Sequence, residues 1–285
     1  MRRIAVLLAC ALAVPAAQAQ KEVEFPTAPT ARFGAEDSVE AILTLPGNAS
    51  GKVPAVVLIH NAGGYDPAHY EFYAAPLRAA GIATLGLILS RAPSQRMPSV
   101  WIPHVYGAYK FLAAQPEIDA ARIGVMGMSL GGLLSLYTAS ELFTREHLGD
   151  GPRFAAHAAL YPVCWVHEAI ANGSAARRNR AMAGAYDRLT GAPQLVLAGA
   201  RDDDDAPDSC EKFLAALSAE ARRNVTLHVF PDATHLWDQG PDRRYYDPIC
   251  RGGGCQVTVR YDPAIALQGR DMVVEFFSRH LVGAR

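Results

Sequence analysis

Residues 122–132 read RIGVMGMSLGG: a short apolar run, one serine held between glycines, then the start of the apolar stretch GGLLSLYTASELF with helical spacing. A G-x-S-x-G pattern arises by chance in roughly one chain in ten of this length and glycine content, so the pattern alone decides little. Its setting decides more. A nucleophile turn needs a buried strand ending at the first glycine and a helix starting just after the serine, and both patterns are present. In so tight a turn, side chains at Gly127 and Gly131 would collide with neighbouring backbone. The turn lifts the Ser129 hydroxyl above the sheet, and the following helix aims its first amides and positive dipole end at the same place. The Leu130 amide is therefore a candidate oxyanion donor.

A serine hydroxyl is a poor nucleophile near neutral pH unless a base takes its proton and a carboxylate orients that base. Around such an elbow the partners follow in the order serine, acid, histidine. The stretch VLAGARDDDDAP (196–207) sets Asp202 just past a buried strand, with Asp203 as its close rival. Asp204 and Asp205 read as a solvated loop or a calcium site. Of the later histidines, His228 lies inside the strand pattern VTLHVF and His280 among surface residues of the last helix. His235, in FPDATHLWD, lies in a loop after the last strand and is the candidate base. The second oxyanion amide falls on Asn61 or Ala62, after the strand VVLIH, where Gly63 and Gly64 let backbone approach closely. His60 reads as the end of that strand rather than as a wall of the site.

Outward from the elbow, residues 53–60, 82–89, 122–127, 154–162, 193–200 and 224–231 form apolar, β-branched runs, and 39–45 alternate like a half-buried early strand. Helical patterns span 69–81 (bent or divided at Pro76), 105–116, 131–143, 211–223 and 264–281. Residues 163–191 read as irregular, and a loop of about thirty residues precedes the last helix. Strands alternating with helices predict an α/β fold with a mostly parallel central sheet and helices on both faces. The expected layout is a signal at 1–19, a lead-in at 20–38 and one domain at 39–285, with 163–190 a candidate small cap.

The first residues, MRRIAVLLACALAVPAAQAQ, carry two arginines, an apolar run and Ala17-Gln18-Ala19 in signal-peptidase spacing. Pro15 interrupts the run, which falls short of the roughly 20 residues of a bilayer span. The expectation is a cleaved signal with a periplasmic or secreted product, and attachment through Cys10 is a minor alternative. Loss of Arg2 and Arg3 leaves 25 basic against 28 acidic residues, a net charge of −3. Neither nucleic acid nor stable membrane insertion is expected of such a chain. Four cysteines remain, an even number that fits disulfides in an exported protein. CRGGGC (250–255) suggests a local loop, which would leave Cys164 with Cys210.

With these residues in place the chain resembles the α/β-hydrolases and, within them, the dienelactone hydrolase family. The resemblance spans roughly residues 38–283 and rests on VVLIHNAGG, PEIDAARIGVMGMSLGG, LYPVC, LAGARDD, HVFPDATH and the terminal FFSRHL. It implies Ser129 as nucleophile, Asp202 as acid, His235 as base and Asn61 and Leu130 as oxyanion amides, with no metal or organic cofactor. Members that open dienelactones carry a cysteine nucleophile and a glutamate near the position of His60. Ser129 and the absence of that glutamate direct the expectation to ordinary carboxylic esters, as small-molecule substrates. Related exported sequences read D-D-W-T-P where this chain has DDDDAP, so the choice between Asp202 and Asp203 stays open. Tyr65, Trp165 and Trp237 are candidate substrate contacts at strand ends. A peptidase or amidase with the same triad, or a non-catalytic binding protein, are the alternatives; the oligomeric state is open.

Overall fold

The computed structural model describes residues 20–34, 37–47, 51–89, 98–175 and 179–283; the expected signal and Cys10 lie outside the described residues. Strands β1 (Gln20–Pro26), β2 (Ser38–Thr44), β3 (Val53–Ile59), β4 (Ala83–Ile88), β5 (Ile118–Met128), β6 (Ala156–Leu160), β7 (Gln194–Gly199) and β8 (Val225–Phe230) form one sheet. Their order is β1-β2-β4-β3-β5-β6-β7-β8. The β1–β2 and β2–β4 pairs are antiparallel, and every pair from β4–β3 to β7–β8 is parallel.

The continuous apolar character of the central strands has a direct cause. Ala55, Val57 and Ile59 of β3 enter one core cluster, Val56 and Leu58 the other, because successive side chains point to opposite faces and both faces are covered. Helices α1 (Pro67–Ala79) and α8 (Pro263–Phe277) cover one face through Tyr73, Leu77, Val273 and Phe277. The other face is covered by α2 (Ile102–Ala113), α3 (Leu130–Tyr137), α4 (Glu141–Leu148), α5 (Cys164–Ala171) and α6 (Ser209–Ala216), with Val105, Leu134, Phe143, Ile170 and Phe213 buried. The short α7 (Ala219–Arg222) follows α6 after a break at Ser218, whose hydroxyl caps it through Ala221 N–H.

The structure corrects several expectations. The lead-in at 20–38 is partly sheet: β1 pairs along β2 with Phe25 buried, its charged residues turned outward. The irregular stretch from 163 contains α5, and the long loop before the last helix contains a hairpin, β9 (Arg243–Asp247) and β10 (Cys255–Val259). The helical pattern after the elbow splits into α3 and α4 at Ser140, whose side chain accepts from Phe143 N–H and starts the second helix. Pro76 does not divide α1, which runs through it to Ala79. No helix among the described residues is long and apolar enough to cross a membrane.

Candidate active site

At the end of β5, Ser129 takes φ 51° and ψ −113°, a conformation that costs a non-glycine residue about 1–3 kcal/mol and is held by its surroundings. Its amide donates to Leu160 O at 2.9 Å and its carbonyl accepts from Leu133 N–H at 2.8 Å, so β6 and α3 grip the turn from both sides. The close approach demands Gly127: a Cβ there would lie 2.2 Å from the carbonyl carbon of Gly131. Gly131 in turn packs on the end of β3, its missing Cβ only 2.1 Å from Ile59 O. Asn61, two residues beyond Ile59, is thereby brought beside the elbow. The amide of Leu130 opens α3 and has no intrahelical acceptor.

His235 Nε2 lies 2.9 Å from Ser129 Oγ and its Nδ1 2.7 Å from Asp202 Oδ2. Ser129, Asp202 and His235 are 8%, 3% and 1% exposed. The two loops that carry acid and histidine are zipped together by backbone: Ala200 N–H donates to Phe230 O and Arg201 N–H to Ala233 O, both at 2.9 Å. Gly199 permits this, since a Cβ there would meet Ala233 O at 2.4 Å. Asp202 Oδ1, turned away from the imidazole, accepts the amides of Asp204 at 2.9 Å and Asp205 at 3.2 Å. Its carboxylate is fixed at both oxygens. Asp203 faces elsewhere, accepting Thr258 N–H of β10 at 3.1 Å.

Asp204 and Asp205 are buried, not solvated, contrary to expectation. Asp205 accepts the amides of Cys164 at 2.5 Å and Trp165 at 3.1 Å, capping the start of α5. Asp204 Oδ2 stands 3.4 Å from His235 Nε2. Burial pushes both carboxyls up to about 6. At His235 burial opposes a charge, but the carboxylates of Asp202, Asp204 and Asp205 outweigh it and raise the imidazole to about 9.

Of the other sequence candidates, Tyr65 is half-buried and packs against Tyr70 with ring centroids 5.5 Å apart. Trp165 is half-buried beside Gly252, between α5 and the hairpin loop. Trp237 is a correction: it is fully buried against Tyr161 and Phe230 and offers no surface to a substrate, because the turn at Leu236 (φ 54°) directs it inward. His60 follows the end of β3 and bolts strand ends together. Its Nε2 accepts Leu89 N–H at 3.1 Å and its Nδ1–H then donates to Asn61 O at 2.6 Å. Cys164 pairs with Cys210, tying α5 to α6, and Cys250 with Cys255, closing the hairpin loop.

Three features around the site carry no mark in the sequence. Arg251, on the disulfide-closed loop, donates to Asp205 O at 3.1 Å and Asp202 O at 3.3 Å, clamping the acid loop from above. Tyr161, just after β6, sets its ring edge-to-face against His235 at 5.1 Å. Asp238, three residues past the histidine, accepts from Tyr161 at 2.7 Å, His69 Nε2 at 3.0 Å and Tyr73 Oη. Burial would raise the Asp238 carboxyl, yet His69 and these hydroxyls hold it below the ordinary value.

An eight-stranded, mostly parallel sheet with a strained serine on the turn after its longest strand defines an α/β-hydrolase. The chain belongs to the prolyl oligopeptidase family, whose model matches residues 81–247. No curated protein matches the sequence. Among solved structures, the fold is similar to an esterase of Pyrococcus furiosus (TM-score 0.61, 18% identity, 93% of this chain and 94% of that one). It is also similar to EstE1, a thermostable carboxylesterase cloned from a metagenomic library (0.63, 17%, 92% and 89%). A dienelactone hydrolase-like promiscuous phosphotriesterase from metagenomic libraries matches at 0.62, with 17% identity over 92% of this chain and 98% of the other.

Proposed function

We propose that the protein is an exported serine hydrolase that cleaves carboxylic esters through an acyl-enzyme on Ser129. The observation that carries this reading is the hydrogen-bonded series Ser129 Oγ, His235 Nε2, His235 Nδ1, Asp202 Oδ2, with links of 2.9 and 2.7 Å. Ser129 Oγ attacks the ester carbonyl as His235 takes its proton. Asp202 keeps the proton on Nδ1, so that Nε2 is the basic nitrogen, and stabilises the imidazolium that forms. The amides of Asn61 and Leu130 receive the oxyanion. His235 returns the proton to the departing alcohol, and a water deprotonated by His235 then releases the acid. The substrate is a small ester; Tyr65 and Trp165 border the approach to it.

Export rests on the sequence of residues 1–19 and is supported by the two disulfides, which persist in oxidising compartments. Membership of the prolyl oligopeptidase family favours a second reading, in which the same residues cleave an amide. Hydrolysis of p-nitrophenyl acetate beside a peptidyl p-nitroanilide, with wild type and Ser129→Ala, tests both. Ester turnover lost in the variant, together with fluorophosphonate labelling mapped to Ser129, is the expected result. Preference for the anilide would move the assignment to peptidase. A folded wild type that neither turns over nor takes the probe would remove the catalytic reading.

A further inference from the structure

Asp204 has no place in a serine–histidine–acid relay, yet its position is specific. Its carboxylate is buried, with Oδ2 3.4 Å from the same nitrogen of His235 that bonds Ser129 Oγ. Among the described residues no other hydrogen-bond donor reaches that carboxylate. Few carboxylates lie this deep in a fold with only a histidine nitrogen beside them, and such groups concentrate where chemistry uses them. The backbone that carries it is fixed: the amides of Asp204 and Asp205 are both spent on Asp202 Oδ1, so Asp204 stands on the same loop that aims the orienting acid.

The proposed function leaves a gap that Asp204 fits. Once Ser129 carries the acyl group its Oγ has no proton, and His235 Nε2 must take one from a water entering where the alcohol left. One hydrogen of that water faces Nε2; the other needs an acceptor, or the water tumbles and its lone pair points away from the carbonyl. We propose that Asp204 is a catalytic residue of deacylation, accepting the second hydrogen of the hydrolytic water and so turning its oxygen toward the acyl carbon. In that step the water oxygen bonds the carbonyl carbon as one proton passes to His235 Nε2. The other hydrogen stays on oxygen, hydrogen-bonded to Asp204. Collapse then breaks the bond to Ser129 Oγ, which recovers the proton from Nε2, and the free acid leaves. Asp204 itself neither gains nor loses a proton. Its carboxyl, raised to about 6 by burial, is ionised at the pH where His235 is neutral and the step runs.

The inference rests on the esterase reading and is tested by separating acylation from deacylation. Wild type, Asp204→Asn and Asp204→Glu are mixed with p-nitrophenyl acetate at a pH where His235 is neutral. Rapid quenching and intact-mass spectrometry give the acyl-enzyme fraction, and fluorophosphonate labelling gives Ser129 reactivity. The Asn variant should label at close to the wild-type rate, accumulate acyl-enzyme and lose about tenfold or more in steady-state turnover, with Asp204→Glu recovering part of the loss. Equal losses of labelling and turnover without acyl-enzyme, or wild-type turnover in the Asn variant, would overturn the proposal. If Asp204→Asn does not fold, Asp204→Ala is read in the same way. Failure of wild type to label or to hydrolyse the ester would instead sink the esterase reading.

Discussion

At the scale of single residues, the charge around His235 has a consequence for pH. Three aspartates hold a proton on its imidazole up to about 9, above the ordinary histidine value, while only the neutral ring can accept the Ser129 proton. The sign follows: kcat/KM for ester should rise as pH rises through about 9, where a relay with one acid would already have levelled off near neutrality. A pH profile of the free enzyme's kcat/KM checks this. Asp204→Asn removes one of the charges and should move the rising limb to lower pH. A limb already complete by neutral pH in wild type would show that the acid cluster does not act on the base as its distances imply.

Elements are held in place here by close approaches and cross-links rather than by propensity. A methyl group on residue 127 would press the turn off its helix at 2.2 Å, so Gly127→Ala should destabilise the protein by about 3 kcal/mol and abolish labelling of Ser129. Urea unfolding and probe labelling report the two effects separately. The Cys164–Cys210 bond closes a sequence separation of 46 residues. Replacing both cysteines with serine should cost about 2–4 kcal/mol in denaturant midpoint analysis. Turnover should survive in the folded fraction, because Asp205 still caps α5 through two amides and keeps the acid loop against it.

Across the whole molecule, the site is a meeting of segments far apart in the chain. Asp238 joins the histidine loop to α1, through His69 and Tyr73, and to the end of β6, through Tyr161. The hairpin returns over the same loops, with Arg260 N–H donating to Thr234 Oγ1 at 2.9 Å and Asp262 N–H to Trp237 O at 2.9 Å. Removing the Asp238 charge would leave buried donors short of their acceptor, so Asp238→Asn should cost about 2–4 kcal/mol. Thermal unfolding measures that loss. A drop in kcat with KM unchanged would place the consequence at His235 rather than in substrate binding.

What was legible in the sequence was what local pattern encodes. Apolar runs buried on both faces announced the parallel strands, and glycines around Ser129 announced the elbow. The position of His235 in the loop after β8 followed from order, and the spacing of CRGGGC favoured the cysteine pairing that the structure shows without deciding it. Strand β1 and the β9–β10 hairpin were missed because strands rich in charged and polar residues, with half or less of their side chains covered, carry little hydrophobic signal. The run of four aspartates shows the limit most clearly. Nothing local distinguishes its members, yet Asp202 turns to His235, Asp203 to Thr258, Asp204 to the far side of the imidazole and Asp205 to the start of α5. The sequence by itself determined the parallel strands, the strained turn and the order of the groups around it. Only the tertiary structure decided which carboxylate meets which partner, because in a loop a side chain's direction is set by contacts 31 to 55 residues away, not by its neighbours in the chain.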